Sequence, residues 1–335
     1  MVNASLPLVQ RLALTADLAV AATHASASPS IPLLGATTYP EGVALDHRSG
    51  ILYVGSDDDG SLQAIEHGVA RVFQPAGTDG RTETLGLKVD EARDRLWVVT
   101  PAAVYVYQLA DGLLLKRADL ASVATVATPG LNDLALAADG TAYVTDSFNP
   151  LLLKIDGATL TLSVFRDLAG RIPYGQQNDF RYNLNGIVVA PDGRALLAVK
   201  TNEGTLWRIS LETDDIAPVA LTEPVTKGDG LVWGEGDALY VLRNFESKIS
   251  KIDFAGDASG PRTVTTLTTE GLDVPTTAVF VATPEPHLVV VNSQFGKDPP
   301  SLPFHLVEVP LLGAMASSSA TSPGEVTERR RNDTP

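Results

Sequence analysis

The sequence predicts an all-β fold, a six-bladed β-propeller of four-stranded antiparallel blades closed by an N-terminal strand. Three observations predict it. A polar residue followed by a short apolar run recurs along the chain, often with a glycine between them. Each such run is followed, across turn residues, by a second apolar run that reads as a hairpin partner. The unit returns every 44 to 53 residues. About four short strands per 40–50 residues is the signature of a propeller blade.

The six units can be read in order. The first is Tyr39-Pro-Glu-Gly-Val-Ala-Leu-Asp46 with Ile51–Gly55, headed by Glu41. The second begins near Leu85 and pairs with Leu96–Val99. The third runs Asn132–Leu136, turns at Ala138-Asp-Gly140, and returns through Thr141–Val144. The fourth, Asn185-Gly-Ile-Val-Val-Ala-Pro-Asp-Gly193 with Ala195–Val199, is the clearest copy. The fifth is Asp229–Trp233 with Ala238–Leu242, and the sixth Thr276–Val281 with His287–Val291. Third strands follow at Ser61–Ile65, Val104–Leu109, Leu151–Ile155, Thr205–Ile209, Lys248–Ile252 and Phe304–Val309. Fourth strands are legible at Ala70–Phe73, Leu162–Phe165 and Arg262–Leu267. The units span Glu41 to about Pro310, so the segment before them is left to add the outer strand of the last blade.

The propeller is assigned to residues 28–313. Residues 1–27 carry two readings. Leu12–Ala22 with the small residues Ala25-Ser-Ala27 resembles a signal peptide, but Asp17 interrupts the apolar run, and a closing strand is the alternative. Location is therefore left open between cytoplasmic and exported. Residues 314–335 are Ser/Thr/Pro-rich and then charged, and read as a disordered tail.

Net charge is −15 with no cysteine. The first excludes the basic face that nucleic acid needs and opposes an anionic membrane surface. The second excludes disulfides, zinc-thiolate sites and cysteine nucleophiles. An acidic chain suits metal cations and neutral or cationic small molecules, and no repeat or apolar helix argues for more than a monomer.

The innermost strand of a propeller blade lines the central channel, so the unit heads converge there. They are Glu41, a position near Leu85, Asn132, Asn185, Asp229 and Thr276. Asn or Asp beside Gly often serves only a turn. Four such oxygens at one register of a repeat instead form a candidate metal ring of Glu41, Asn132, Asn185 and Asp229. Two carboxylates and two amides are hard donors with a charge of −2, suited to one divalent cation, Ca²⁺ foremost, with Mg²⁺ or Mn²⁺ as alternatives. Zn²⁺ is less favoured because no histidine or cysteine stands at these positions. The five histidines are scattered and form no metal spacing. Asp57-Asp-Asp-Gly60 reads as a solvated hairpin turn. The third-to-fourth spacing is the longest, and its extra residues lie in Arg171–Tyr182, a rim loop or a tolerated insertion.

Repeat and heads together resemble the gluconolactonase / senescence-marker-protein (regucalcin) family of six-bladed propellers, over most of Glu41–Pro310. The resemblance implies a divalent metal held by Glu41, Asn132, Asn185 and Asp229, from blades one, three, four and five. It also implies a lactonase chemistry in which the metal polarises a carbonyl and activates a water, with Asp229 as base. There are two departures. Gly130 stands where the sugar lactonases carry a substrate-binding arginine, and Thr276 and Thr277 stand where related enzymes carry a channel histidine.

The expected function is a metal-dependent hydrolase of a lactone or ester acting on a small molecule. Asp229, or secondarily Asp133, would be the general base. Asp133 directly follows a ring residue and points away from it unless the backbone turns there. Thr276, Tyr174, Gln176, Asn178 and Tyr182 are expected to contact substrate. The alternative is a non-catalytic propeller with a structural metal; a strictosidine-synthase-like condensation is a third reading, since fold alone does not decide.

Overall fold

The computed structural model describes residues 29–175, 180–254, 261–267 and 270–311. The readings placed on 1–27 and 314–335, and on Gln176 and Asn178, lie outside the described residues.

The architecture is a six-bladed propeller, each blade a four-stranded antiparallel sheet. β1 (Ser30–Pro32) precedes the first blade. Blade one is β2 (Pro40–Asp46), β3 (Ile51–Ser56), β4 (Leu62–Glu66) and β5 (Val69–Gln74). Blade two is β6 (Leu87–Asp90), β7 (Arg95–Thr100), β8 (Ala103–Gln108) and β9 (Leu114–Asp119). Blade three is β10 (Leu131–Leu136), β11 (Ala142–Asp146), β12 (Leu151–Ile155) and β13 (Leu162–Asp167). Blade four is β14 (Leu184–Val189), β15 (Ala195–Lys200), β16 (Thr205–Ser210) and β17 (Ile216–Val219). Blade five is β18 (Gly228–Trp233), β19 (Ala238–Arg243), β20 (Lys248–Asp253) and β21 (Val264–Leu267). Blade six is β22 (Pro275–Val281), β23 (His287–Asn292) and β24 (His305–Pro310), completed by β1. Ser30 faces Val307 and Pro32 faces His305 across that last pair, so an N-terminal strand closes the ring as expected. It lies downstream of the apolar run Leu12–Ala22.

The packing explains why the second strand of each blade was easy to read. A blade is covered on both faces by its neighbours, so its second strand is buried and mostly apolar. β11, β15 and β19 are buried along their whole length, and β7 nearly so. Six apolar clusters fill the blade interfaces among the described residues. One joins Trp97, Val99 and Val104 of blade two to Leu131, Leu134 and Val144 of blade three. Another joins Val43, Val54 and Ile65 of blade one to Val289, Val291 and Leu306 of blade six, sealing the ring.

The inner strands position the site. In five blades the ladder register breaks at the head, between Pro40 and Val43, Leu131 and Leu134, Leu184 and Ile187, Gly228 and Leu231, and Pro275 and Ala278. Such a bulge re-aims the side chain it carries. Neighbouring inner strands also approach closely there. A Cβ on Gly42 would collide with the Leu85 carbonyl oxygen, and one on Gly186 with that of Asp229. The glycines after Glu41 and Asn185 are therefore a steric requirement of the closed ring.

Candidate metal centre and chamber

Glu41, Asn132, Asn185 and Asp229, from four blades, meet around one chamber and one small void. All four side chains are buried. They form the floor of a chamber of about 550 Å³ that opens to one face. The same four residues also roof a small void of about 10 Å³ beneath, which Lys88, Asp133 and Thr277 complete. That is room for about one water-sized sphere.

Hydrogen bonds engage one ring carboxylate and leave one ring amide oxygen unpartnered. Asn244 Nδ2 donates to Asp229 Oδ2 at 2.9 Å, and Asn185 also hydrogen-bonds this carboxylate. Asn132 Oδ1 is buried without any partner. A buried acceptor with nothing to accept from is costly and rare. Meanwhile Thr145 Oγ1 donates to the Asn185 carbonyl at 2.7 Å, and Thr276 Oγ1 to the Glu41 carbonyl at 2.7 Å, locking the bulged backbone.

Electrostatics point the same way. Burial, and then the charges of Asp229 and Asp133, push the Glu41 carboxyl well above its ordinary value. Burial pushes Asp229 up to about 7, with the Asp133 charge adding and the Asn244 bond opposing. Asp133 is raised by burial but is offset by Lys88 Nζ at 3.9 Å and by the backbone N–H groups of Leu134 and Ile187 at 2.8 and 3.3 Å. Asp133 thus has its own counter-charge, and the surplus falls on Glu41 and Asp229. Two carboxylates and two amide oxygens, one of them orphaned, fit one divalent cation of the hard, oxygen-seeking kind. Among the described residues no cluster of three or more His, Cys, Asp and Glu side chains could share a metal, so the ring depends on its amides.

The predicted residues divide. The four ring residues and Tyr182 line the chamber. Asp133 lines the void below, because the backbone does turn at the bulge between Leu131 and Leu134. Two substrate contacts expected from the sequence are otherwise engaged. Thr276 is fully buried with its hydroxyl on the Glu41 carbonyl, and Tyr174 packs in the cluster between blades three and four while its hydroxyl donates to the Asp146 carbonyl at 2.9 Å. Asp57 stands in the hairpin turn between β3 and β4 as read, but it faces the chamber rather than solvent, and burial with the Glu83 charge pushes it to about 6. Glu83, Phe148, Arg181, Asn244, Phe245 and Phe295 also line the chamber and were not singled out from the sequence. They come from loops between strands, where no repeat register identifies them.

Fold and site define a class: a six-bladed propeller with a ring of buried oxygen donors on its axis beneath an open chamber. No protein-family model matches the sequence, and no curated protein sequence matches it. Solved structures do match the fold. The calcium-binding protein regucalcin from Agrobacterium tumefaciens superposes with a TM-score of 0.59 at 18% identity, covering 82% of this chain and 92% of that one. A gluconolactonase from Xanthomonas campestris gives 0.58 at 18% identity, covering 85% and 98%. A catalytically inactive His→Ala variant of virginiamycin B lyase from Staphylococcus aureus, with quinupristin, gives 0.55 at 12% identity, covering 85% and 99%. At these identities the likeness is one of fold, and at that level the resemblance to regucalcin and gluconolactonase holds.

Proposed function

We propose that this protein is a divalent-metal-dependent hydrolase of a lactone or ester. The observation that carries the reading is the ring of Glu41, Asn132, Asn185 and Asp229, with the unpartnered Asn132 oxygen, at the floor of an open chamber. These four residues would hold the cation, for which Ca²⁺ is the first candidate. When bound, the cation supplies Lewis-acid polarisation of the carbonyl and acidifies a water.

The chain's own residues do the rest. Asn244 and Asn185 orient the Asp229 carboxylate, which takes a proton from the attacking water. The water oxygen bonds to the carbonyl carbon, the bond to the leaving oxygen breaks, and the proton on Asp229 passes to that oxygen. Asp133 is engaged by Lys88 and two backbone N–H groups, which suits it to orientation of the floor more than to proton transfer. Among the described residues no histidine lines the chamber, which disfavours a lyase mechanism like one that a His→Ala change inactivates.

The test is paired. Melting temperature is measured with chelator and with Ca²⁺, Mg²⁺, Mn²⁺ or Zn²⁺, for wild type and Asp229→Ala, followed by a lactone and ester panel with the stabilising metal. A metal-specific rise lost in the variant, with turnover lost alongside it, supports the hydrolase. A metal-specific rise without turnover would leave a ligand-binding propeller with a structural metal.

A further inference from the structure

We infer that the chamber takes an uncharged ester or lactone with an aromatic body, and not a polyhydroxylated sugar lactone. The inference rests on the hydrolase reading for its reaction and on a separate set of residues for its substrate.

Four rings from three chain segments arch across the chamber. Phe148 follows β11, Phe180 and Tyr182 belong to the connection between blades three and four, and Phe245 lies in the turn between β19 and β20. Phe148 and Tyr182 have centroids 5.1 Å apart, Tyr182 and Phe180 5.3 Å, and Phe180 and Phe245 5.8 Å in an edge-on arrangement. Phe245 is 50% exposed although it is a large apolar ring. Rings at these separations accept a further flat ring by offset or edge-on packing. Leu85, Pro101 and Pro129 add apolar wall to the same chamber.

Above the floor the polar side chains among the described residues are few: Asp57, Glu83, Thr128, Arg181, Tyr182 and Asn244. Each hydroxyl brought into such a chamber must recover the hydrogen bonds it gives up. The floor oxygens belong to the ring. A side chain at position 130 would have to displace Phe148 or Asp146, because a Cβ there would lie 2.7 Å from Phe148 Cδ2 and Asp146 Oδ1. Above the floor the charged groups on the wall are Asp57, Glu83 and Arg181, and the Arg181 guanidinium lies 4.3 Å over the Phe148 ring. Two carboxylates against one guanidinium oppose an anionic ligand. An uncharged ring system meets the arch without these penalties.

The experiment titrates the metal-loaded full chain by calorimetry with 2-tetralone, a non-hydrolysable bicyclic ketone, and with myo-inositol. Wild type is compared with Phe245→Ala and Phe180→Ala, each checked by its melting temperature. The expected result is tetralone binding that weakens about tenfold in either variant, with inositol silent. Inositol binding as tightly as tetralone, or tetralone binding indifferent to both substitutions, overturns the inference. Hydrolysis of dihydrocoumarin separates the two readings. Phenylalanine-dependent tetralone binding without turnover under any metal sinks the hydrolase and leaves the aromatic chamber standing. Asp229-dependent hydrolysis of gluconolactone without tetralone binding does the reverse.

Discussion

Asn244 Nδ2 donates to Asp229 Oδ2 across 2.9 Å, from a turn after β19 to the head of β18. The two side chains are buried together, and the Asn244 side-chain oxygen is itself satisfied by the Phe245 N–H at 2.7 Å. The amide orientation is therefore set by the backbone, and the carboxylate orientation by the amide. Removing it should raise the Asp229 carboxyl, because a bond that favours the ionised form is lost. Asn244→Ala is expected to move the acidic limb of the pH–rate profile upward by about one unit, with Asn244→Asp unable to rescue it. An unshifted profile in the alanine variant would mean that Asn244 does not position Asp229.

Metal-free protein should lose stability as pH rises. An unfolded Asp229 ionises near 3.8, while the folded group is pushed to about 7, so the folded state holds its proton more tightly across that window. Stability is then greatest below the unfolded value and falls through the folded one, by about 4 kcal/mol for a group displaced this far. Asp57, pushed to about 6, adds in the same direction. A divalent cation replaces the proton, so its stabilising effect should grow from pH 4 to pH 8. Calorimetric scans with and without chelator check this, and a metal-free melting temperature that climbs through the window would contradict it.

Asn132→Leu separates the metal role from the folding role. The Asn132 side-chain oxygen has no partner, so its loss should leave metal-free stability unchanged or higher by about 1 kcal/mol. Metal affinity should fall at least tenfold, read as the cation concentration that gives half the thermal shift. A variant that melts lower without metal, and binds metal as before, would return Asn132 to a purely structural role.

Gly186→Ala tests the closeness of the inner strands. The added methyl would meet the Asp229 carbonyl oxygen and the backbone of Gly230 and Leu231, none of which can yield easily. A loss of about 3 kcal/mol is expected, at the upper end for overpacking. Because the clash is with the Asp229 backbone itself, weaker metal binding should accompany it. Gly193→Ala is the control, since nothing lies near a Cβ there although its φ is 69°.

Much of the fold was legible because burial on both faces makes a repeating pattern. Ala195–Lys200 and Ala238–Arg243 are apolar along nearly their whole length, and so they stood out. The outermost strands of blades two and four, Leu114–Asp119 and Ile216–Val219, did not, because edge strands facing solvent carry mixed residues. The heads were legible for a related reason. Glu41, Asn132, Asn185 and Asp229 are polar where the register calls for an apolar residue, and a repeat makes that register countable.

What the sequence by itself determined was the period, the blade number and the register at which the four polar heads stand. These depend on local patterning that every copy repeats. Only the tertiary structure decided that the bulge turns Asp133 toward the axis beside Lys88, that Thr276 is held on the Glu41 carbonyl, and that Phe148, Phe180, Tyr182 and Phe245 meet in one arch. Those residues sit at bulges or in loops, where no period constrains them. Their neighbours are set by ring closure, which brings together segments far apart in the chain.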